Sequence, residues 1–420
     1  MSKLLPQPRA LGAALGVGLL AIAAAAGTAP ARAAEKTVAI GIVLPLTGAD
    51  AEAATRIEYG AKMAIAEANE KGGVAGYKLQ AITFDTGTAT AGQYDPAQAV
   101  TDVKQLIANP SVVANVGPMM SGSGKALSPV LSEADLATIT PSSTNPDITD
   151  PKFAGQYRPN GKAVYFRTVT TDAYQGPNMA NYYKDVLHVK SVYILDDSGA
   201  YGVGLANSFE AQAKKIGIKV LGHDELNPKE ADYTTILTKI KALHPDALYY
   251  GGVAQAGVKL MKQSYDVIPK VIKGGGDGMV GPDLLKGAGF PAAEGWYATI
   301  ASPHVLDEPQ VKGWVARFVK RYNTQPDDYA ITAYDATEVI IDAIKRVAAS
   351  GKPMNRANIR DAIQNTHLNT LQGEIAFDKN GDMLNKVISV FQIKKDPKYA
   401  DDDVLHQYKY VGVAPQSATS

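Results

Sequence analysis

The chain has 420 residues, of which 45% are apolar and 20% charged, so it is long enough for two or three domains and is not disordered. Its 42 basic and 42 acidic residues balance at zero formal charge, and no basic stripe interleaves with aromatic residues, which argues against a nucleic-acid partner. The chain contains no cysteine, so its stability must come from an apolar core without disulfides.

Residues 1–33 are typical of a signal peptide. Lys3 and Arg9 supply a positive start, small apolar residues fill 11–26, and the Ala-Arg-Ala triplet at 31–33 fits a small-x-small cleavage pattern. The apolar stretch is shorter than the ~20 residues of a membrane-spanning helix, so we expect cleavage near Ala33 rather than an anchor. No cysteine lies at the cleavage site to carry a lipid. The mature protein is therefore expected to be freely soluble, and periplasmic if the source is bacterial.

Strand-like and helical runs then alternate in two similar series. The first series predicts strands at 38–46, 79–84, 112–116 and 137–140, with helices at 55–69, 96–108 and 125–133. The second, after a loop rich in Pro, Gly and Asp, predicts strands at 164–169, 191–195, 219–222, 247–251 and 271–273, with helices at 176–187, 204–215 and 233–243. This order predicts an α/β fold with two parallel, doubly wound sheets.

The pattern changes from Gly295 onward. A strand at 296–300 is followed by predicted helices at 309–322, 329–348 and 355–363, and by β-rich stretches at 373–377, 388–394 and 407–413. These helices follow one another without strands between them, so the alternation of the second series is expected to end here.

Two polar loops of the first series predict a ligand site. The loops at 117–124 and 141–146 each follow an apolar strand and are rich in Ser, Thr and Gly. Ligands of open α/β sheets bind at the carboxyl ends of the strands, where hydroxyls and free N–H groups suit a small anionic group. No His, Cys or metal-ligand cluster accompanies these loops, so the pattern indicates binding rather than catalysis.

Several short motifs, in a fixed order along the chain, carry a family resemblance. They are PLTG at 45–48, AEANEKGG at 66–73, FRT at 166–168, YQGP at 174–177, DSGAYG at 197–202 and YYGG at 249–252, with the two polar loops between the second and third. In this order they resemble periplasmic substrate-binding proteins of the leucine/isoleucine/valine-binding type, the receptors of amino-acid ABC importers. The resemblance covers nearly all of the chain after residue 33.

That resemblance implies two lobes joined by three crossovers, with the ligand in a cleft that closes by hinge motion. Lobe one is expected to comprise 35–168 plus 298–374, and lobe two 169–297 plus 375–413, with a tail at 414–420. It also implies a monomer that delivers its ligand to an inner-membrane ABC permease and needs no cofactor or metal. A chemosensory receptor that presents its closed form to a membrane protein has the same sequence features and stays an alternative.

The resemblance places Ser121, Ser142 and Thr144 around a ligand carboxylate, Ser142 acting through its backbone. Hydroxyls and loop N–H groups satisfy carboxylate oxygens, and the start of a helix at Ser121 adds a favourable dipole. The same three residues also suit turns and helix caps, which is the structural alternative.

On the opposite wall, the resemblance places Asp277 against the ligand ammonium and Tyr201 over the ligand. A buried ammonium needs an acidic partner, because an unpaired charge in a closed cleft is costly. Tyr329 matches an aromatic position near the side-chain pocket. The alternatives are an exposed turn for Asp277, a surface aromatic for Tyr201 and helix core for Tyr329.

Two departures from the family pattern concern the pocket for the ligand's side chain. Val253 and Ala53 stand where the branched-chain amino-acid binder has tyrosines, so that pocket is expected to be larger or differently shaped. The resemblance therefore predicts the residues that hold the ligand's carboxylate and ammonium, the zwitterion clamp, better than it predicts a preference for leucine, isoleucine or valine. A bulkier amino acid, an amide or an aromatic acid stays open.

The rival from another class is a nicotinamide-dependent enzyme. Residues 276–281 match G-x-G-x-x-G after a strand, but no strand ends with the acidic residue that ribose binding requires about twenty positions later. The six histidines form no paired motif, and no G-x-S-x-G occurs, so no nucleophile and base can be named. We therefore expect a binding protein and not an enzyme.

Overall fold

The structure, a computed structural model, describes residues 36–416. Strands and helices alternate through its first half, apart from one short hairpin after the second strand. In chain order they are β1 (Lys36–Leu44), α1 (Ala51–Glu70), β2 (Tyr77–Asp85), β3 (Gly87–Thr88), β4 (Gln93–Tyr94), α2 (Pro96–Ala108), β5 (Val112–Val116), α3 (Ser121–Glu133), β6 (Ala137–Thr140), α4 (Ala154–Tyr157) and β7 (Tyr165–Arg167).

The first sheet has the strand order β2-β1-β5-β6-β7, and all of its strands are parallel. β5, β6 and β7 are buried along their whole length. A parallel sheet covered by helices on both faces requires such continuous apolar strands, because neither face meets water. The carboxyl ends of β5 and β6 lie side by side and project the loops at 117–124 and 141–146 from one edge.

The second half forms a larger sheet and then a run of helices. Its elements are α5 (Asp172–Asp185), β8 (Ser191–Asp196), α6 (Ala200–Lys215), β9 (Lys219–Glu225), α7 (Thr234–Leu243), β10 (Ala247–Gly251), α8 (Ala254–Val267), β11 (Ile272–Gly275), α9 (Pro282–Ala288), β12 (Tyr297–Ile300), α10 (Lys312–Tyr322), α11 (Asp328–Ala349), α12 (Arg356–Gln364), β13 (His367–Thr370), β14 (Gly373–Ala376), β15 (Ser389–Ile393), α13 (Val404–Gln407) and β16 (Tyr408–Val413).

The second sheet has the order β16-β15-β12-β11-β10-β8-β9. The five strands from β12 to β9 are parallel to their neighbours, and β15 and β16 add an antiparallel edge. The predicted α/β architecture of two doubly wound parallel sheets is therefore confirmed, with this antiparallel addition. None of the helices within residues 36–416 combines the length and apolarity needed to cross a membrane.

Helices α10 to α12 return the chain to the first sheet, as the change of pattern after Gly295 indicated. α11 packs along α1, and the Arg356 guanidinium at the start of α12 donates to the carbonyl of Val112 in β5 at 3.0 Å. The hairpin β13–β14 is fastened to α11 through Asp335, whose carboxylate accepts the N–H of Leu371 at 3.2 Å. These contacts place 312–376 with the first sheet.

Two expected lobe boundaries fall too early in the chain. The boundary at 297/298 would cut β12, which pairs along its whole length with β15 of the second sheet, so the chain crosses after Ile300. The boundary at 374/375 precedes residues that still hold to the first sheet, because Asp382 accepts from Arg167 at 2.8 Å and Phe377 packs on Phe166. The pairing of β12 with β15 and the Arg167–Asp382 ion pair determine where the two boundaries lie. The sequence pattern shows neither contact.

Both chain ends extend beyond the described residues. The expected signal peptide at 1–33 lies outside the described residues. At the other end, the Ala414 N–H donates to the Ile388 carbonyl at 2.9 Å, so the expected tail begins in contact with the second sheet.

Candidate functional site

A cavity lies between the carboxyl edges of the two sheets. Five of the six predicted site residues line it: Ser121, Ser142, Tyr201, Asp277 and Tyr329. In this closed form the cavity has a free volume of only about 30 Å³, so a ligand as large as an amino acid needs the walls to move apart. Both sheets contribute loops to it, so a ligand here would touch both halves of the molecule.

Ser121 opens α3 and faces the cavity from the first sheet. The preceding Met120 is extended and provides no capping side chain, so the first N–H groups of α3 have no acceptor from a cap. The Ser121 hydroxyl accepts from the Asn145 N–H at 3.2 Å and from the Ser143 hydroxyl at 3.1 Å. The two polar loops are thus joined at Ser121, beside a helix N-terminus that favours negative charge.

Ser142 and Thr144 differ in their access to the cavity. The Ser142 side chain lines it and donates to the Met119 carbonyl at 3.1 Å, while its backbone N–H donates to the Thr140 hydroxyl at 3.3 Å. Its N–H is therefore already used within the loop. Thr144 is fully buried behind the cavity wall, and its carbonyl accepts the Asp172 N–H at 2.9 Å. Direct contact between Thr144 and a ligand stays a prediction.

Arg167 fixes the shape of the second loop. This fully buried guanidinium donates to the carbonyls of Ser143 at 2.5 Å and Asn145 at 2.8 Å, and it pairs with Asp382. A charged group without exposure is tolerated only when it is paired and hydrogen-bonded, and here both conditions hold. The sequence showed Arg167 only as part of a motif, because its partners lie 18 to 215 positions away.

Asp277 is buried at the second wall, at the end of β11. Its Oδ1 accepts from the Tyr201 hydroxyl at 2.5 Å and from Gln175 Nε2 at 3.1 Å. Its backbone carbonyl accepts from the Tyr329 hydroxyl at 3.0 Å, and Tyr329 comes from α11 of the other half. Tyr201 and Asp277, the two residues predicted for this wall, therefore form one hydrogen-bonded group with Tyr329, which the resemblance placed near the side-chain pocket. The alternatives of an exposed turn and a surface aromatic are wrong for Asp277 and Tyr201, which are 2% and 8% exposed.

A second acid beside Asp277 escaped the sequence analysis. Asp172 begins α5 without any exposure, and Gln175 Nε2 donates to its Oδ1 at 2.9 Å as well as to Asp277. Burial, and then the charge of Asp277, raise the pKa of Asp172. Burial also raises the pKa of Asp277 against the hydrogen bonds from Tyr201 and Gln175. Two carboxylates thus share one glutamine.

These two acids form no ion pair with a lysine or arginine of the described chain, although the positive field of Arg167 reaches Asp172. Asp172 Oδ2 and the Thr144 hydroxyl are buried without a hydrogen bond of good geometry in the described chain, although Thr144 is close enough to Asp172 to lower its pKa. A cationic group placed between the carboxylates would favour their charged forms and so lower both pKa values against the burial that raises them. Sequence alone reads Asp172 as an ordinary acid in a first helical turn, which is why it was missed.

The far end of the cavity contains the two departures from the family pattern. Ala53 and Val253 both line it, as the alignment of motifs implied, and they are joined there by Asp50 and Asp283. Burial, then the charge of Asp283, raises the pKa of Asp50 to about 7. Burial also raises the pKa of Asp283, although it accepts the Ala53 N–H at 2.9 Å. The side-chain pocket is thus acidic at a place where the sequence predicted only extra space.

Hydrogen bonds across the cleft show that the two halves are closed on each other. Asn145 Nδ2 donates to the Ala200 carbonyl at 2.7 Å, and Gln255 Nε2 donates to the Ala91 carbonyl at 3.1 Å. Within residues 36–416 no three His, Asp or Glu side chains are grouped as metal ligands. The site offers hydroxyls and a helix N-terminus on one wall and carboxylates on the other, which is a chemistry of binding.

Comparison with known proteins agrees with this geometry. A family profile described as periplasmic binding protein matches residues 37–398. Over 375 residues the chain is 29% identical to a Leu/Ile/Val-binding protein homolog from Brucella melitensis, covering 89% of this chain and 96% of that one. A leucine-, isoleucine-, valine-, threonine- and alanine-binding protein from Pseudomonas aeruginosa is 28% identical, with 90% and 95% covered.

Solved structures show the same fold. A leucine-binding protein from Thermotoga maritima superposes with a TM-score of 0.77 at 25% identity, covering 90% of this chain and 98% of that one. A solute-binding protein from R. palustris in complex with benzoate has a TM-score of 0.73 at 18% identity, with 91% and 98% covered, and shows the fold alone. The resemblance read from the sequence motifs is confirmed.

Proposed function

We propose that this chain, which belongs to the periplasmic binding protein family, captures an α-amino acid in its cleft and delivers it to an ABC permease. The family consists of solute-binding proteins, and the relatives named for leucine, isoleucine and valine align over nearly the whole chain. We further propose that residues 1–33 direct export to the periplasm, that the mature protein is a monomer and that it catalyses no reaction.

The buried acidic pair at the second wall carries the proposal. Asp277 lines the closed cleft and Asp172 is buried beside it, both with raised pKa values and neither in an ion pair with a lysine or arginine of the described chain, so a cation would complete the site. The α-ammonium of an amino acid supplies that charge and three donors, for Asp172, Asp277 and neighbouring oxygens. Tyr201 orients Asp277 through the 2.5 Å hydrogen bond and would close over the ligand.

The first wall suits the α-carboxylate. Ser121 and Ser142 line the cavity, and the uncapped N-terminus of α3 at Ser121 favours a negative group. Thr144, one layer behind, lies between this wall and Asp172 and is proposed to complete the contact when the ligand is bound. Opposite charges of the ligand would then meet opposite walls.

This division of charge explains how binding could drive closure. An amino acid whose carboxylate is held by one half and whose ammonium is held by the other gains contacts in the closed form that the open form cannot provide. Without it, closing the cleft buries two carboxylates at a cost. The permease would then recognise the closed surface, as would a chemosensory receptor, which is the alternative reader of the same state.

An aromatic carboxylic acid is the second candidate, since a benzoate complex shares the fold. Such a ligand has no ammonium and would leave Asp172 and Asp277 uncompensated, so the geometry favours the amino acid. The deciding experiment is calorimetry of the mature protein with the twenty amino acids, short amides and benzoates. We expect an amino acid to bind and Asp277→Ala to abolish that binding, with the ligand recovered chemically unchanged.

Asp102→Asn is the matched control, because Asp102 is a buried carboxyl on α2 that accepts from Gln98 at 2.8 Å and lies away from the cleft. It should bind like the wild type. Tight binding of acids without an amine, undisturbed by Asp277→Ala, would sink the zwitterion proposal. Turnover of a bound metabolite would contradict a receptor without catalytic activity.

A further inference from the structure

Asp50 stands at the far end of the cavity, immediately before α1, where a helix cap is expected. Aspartate at this position ordinarily accepts an N–H of the first helical turn. Here the Asp50 side chain makes no such capping bond. It lines the cavity instead, and it is only 5% exposed.

An acid from the other half of the molecule caps the N-terminus of α1 in place of Asp50. Asp283, in the first turn of α9, accepts the N–H of Glu52 at 3.3 Å and of Ala53 at 2.9 Å. The start of α1 is therefore satisfied across the cleft, about 230 residues away along the chain. Because Asp283 accepts these N–H groups, the Asp50 carboxylate is not needed to cap α1, although its position in the sequence predicts that role.

Only one oxygen of Asp50 has a hydrogen-bonding partner. Its Oδ1 accepts the Ala254 N–H at 3.3 Å, whereas Oδ2 is buried without any hydrogen bond in the described chain. A buried carboxylate oxygen without a donor is costly, and native structures rarely leave one without a reason. The free oxygen belongs to a residue that lines a ligand cavity, so a ligand donor is the natural partner.

The charges that surround Asp50 strengthen this reading. Asp283 and Asp197 are the acids whose fields reach it, and Asp197 is occupied by the N–H groups of Gly199 and Val253, both at 3.0 Å. The nearest ammonium on α9, Lys286, is exposed and paired with Glu52. The far end is therefore acidic, and in the described part of the chain the charge of Arg56 reaches Asp283 while no lysine or arginine pairs with Asp50.

Much of the remaining cavity lining is apolar. Met119, Met120, Val280 and Leu284 contribute to it, and at Ala53 and Val253 small side chains line the cavity together with the buried Asp50. A ligand that extends from the head-group site toward Asp50 would thus lay an alkyl stem along these residues. It would place whatever ends that stem against the unpartnered oxygen.

We propose that the side-chain pocket selects an amino acid whose side chain has an alkyl stem and ends in a hydrogen-bond donor, an ammonium or a carboxamide, held by Asp50. This inference rests on the proposed function, since it assumes that Asp172 and Asp277 hold the α-ammonium. It distinguishes the chain from a receptor for leucine, isoleucine or valine, whose side chains offer no donor.

Calorimetry with isosteric pairs tests the inference. 2,4-Diaminobutyrate is compared with norvaline, ornithine with norleucine, and glutamine with glutamate, because the members of each pair differ in the terminal group and little in size. We expect the donor-bearing member of at least one pair to bind tenfold or more tightly than its partner. The ammonium pairs and the amide pair separately report which donor is preferred.

Two variants locate the effect. Asp50→Leu, close in shape, should erase the donor preference and bind the apolar isostere at least as well as the wild type. Asp50→Asn, which keeps an acceptor oxygen and loses the charge, should erase a preference for an ammonium and retain part of a preference for a carboxamide. Asp102→Asn should retain the full preference. Binding of the apolar isostere by Asp50→Leu also shows that the variant is folded.

A wild type that binds norvaline or norleucine as tightly as the diamino acids, and glutamate as tightly as glutamine, overturns the inference. So does a donor preference that survives Asp50→Leu. Failure of the underlying function looks different: no amino acid binds at all, or Asp277→Ala leaves binding intact whatever the side chain.

Discussion

The two ends of the cavity both contain buried acids, but they hold them differently. At the head-group end, Asp277 and Asp172 are tied to one glutamine, and Tyr201 fixes Asp277 as well. At the far end, Asp50 has a single 3.3 Å bond to a backbone N–H and one oxygen free. The acids at the head-group end thus belong to a hydrogen-bonded network, whereas Asp50 at the far end has an oxygen that is free to accept a hydrogen bond.

This difference indicates which part of the ligand each end recognises. A network whose members are already positioned loses little freedom when a ligand arrives, so it suits a group common to all ligands of one class. A lone acceptor among apolar side chains suits discrimination between ligands, because a ligand that gives it no hydrogen bond binds with lower affinity. We therefore expect changes at the head-group end to affect every ligand and changes at Asp50 to affect the choice among them.

After the loss of binding expected for Asp277→Ala, the largest effect that would sharpen this comparison is expected for Asp172→Asn. Removing one charge from the ammonium site should weaken every amino acid by at least about 30-fold, since truncating a buried charge partner costs about 2–5 kcal/mol. Calorimetry with an apolar and a polar amino acid checks that the loss is uniform. A loss confined to one ligand would place Asp172 with the side-chain pocket instead.

The same variant has a pH signature. Because the pKa of Asp172 is raised, the folded protein retains a proton that the unfolded chain releases above about pH 4. Stability of the ligand-free protein therefore falls as pH rises from about 4 through the raised pKa. Asp172→Asn should melt above the wild type at pH 9 and close to it at pH 5. Equal melting differences at both pH values would show that Asp172 ionises normally.

A smaller effect is expected from the titration of Asp50, whose pKa is raised to about 7 by burial and by Asp283. Below that pH the carboxyl holds a proton and its value as an acceptor falls. The affinity ratio of ornithine to norleucine should therefore drop by up to about tenfold between pH 8 and pH 6. Taking the ratio cancels the titration of Asp172 and Asp277, which both ligands share. A ratio that does not change with pH contradicts a role for the ionised Asp50.

The smallest effect is expected for Ser121→Ala on the carboxylate wall. Loss of one hydroxyl, with the N-terminal N–H groups of α3 still present, should weaken all amino acids by about 3- to 10-fold. Ser128→Ala is the control, because Ser128 is buried in the same helix and its hydroxyl donates to the Gly124 carbonyl at 2.6 Å. If both variants bind equally, Ser121 contributes to the fold of the loops and not to the ligand.

Much of this molecule follows from local sequence pattern. The alternation of apolar strands with amphipathic helices predicts parallel sheets, because only such runs bury both faces of a strand. Polar loops after β5 and β6 predict a site at one edge, because parallel strands end side by side. The motifs then predict Ser121, Tyr201 and Asp277, which the structure brings to one cavity.

Only the tertiary structure revealed the acids that complete each end. Asp172 and Asp50 each flank the start of a helix, where an acid is ordinary, and nothing nearby in sequence shows that their carboxylates are buried. Asp172 acquires its role through Asp277, 105 positions away, and Asp50 through Asp283, which takes over its capping role across the cleft. The sequence alone determined the sheets and the loops, since these depend on local periodicity. Tertiary packing decided which carboxyl groups have raised pKa values, since it buries Asp172 beside Asp277 within the second half and Asp50 beside Asp283 across the cleft.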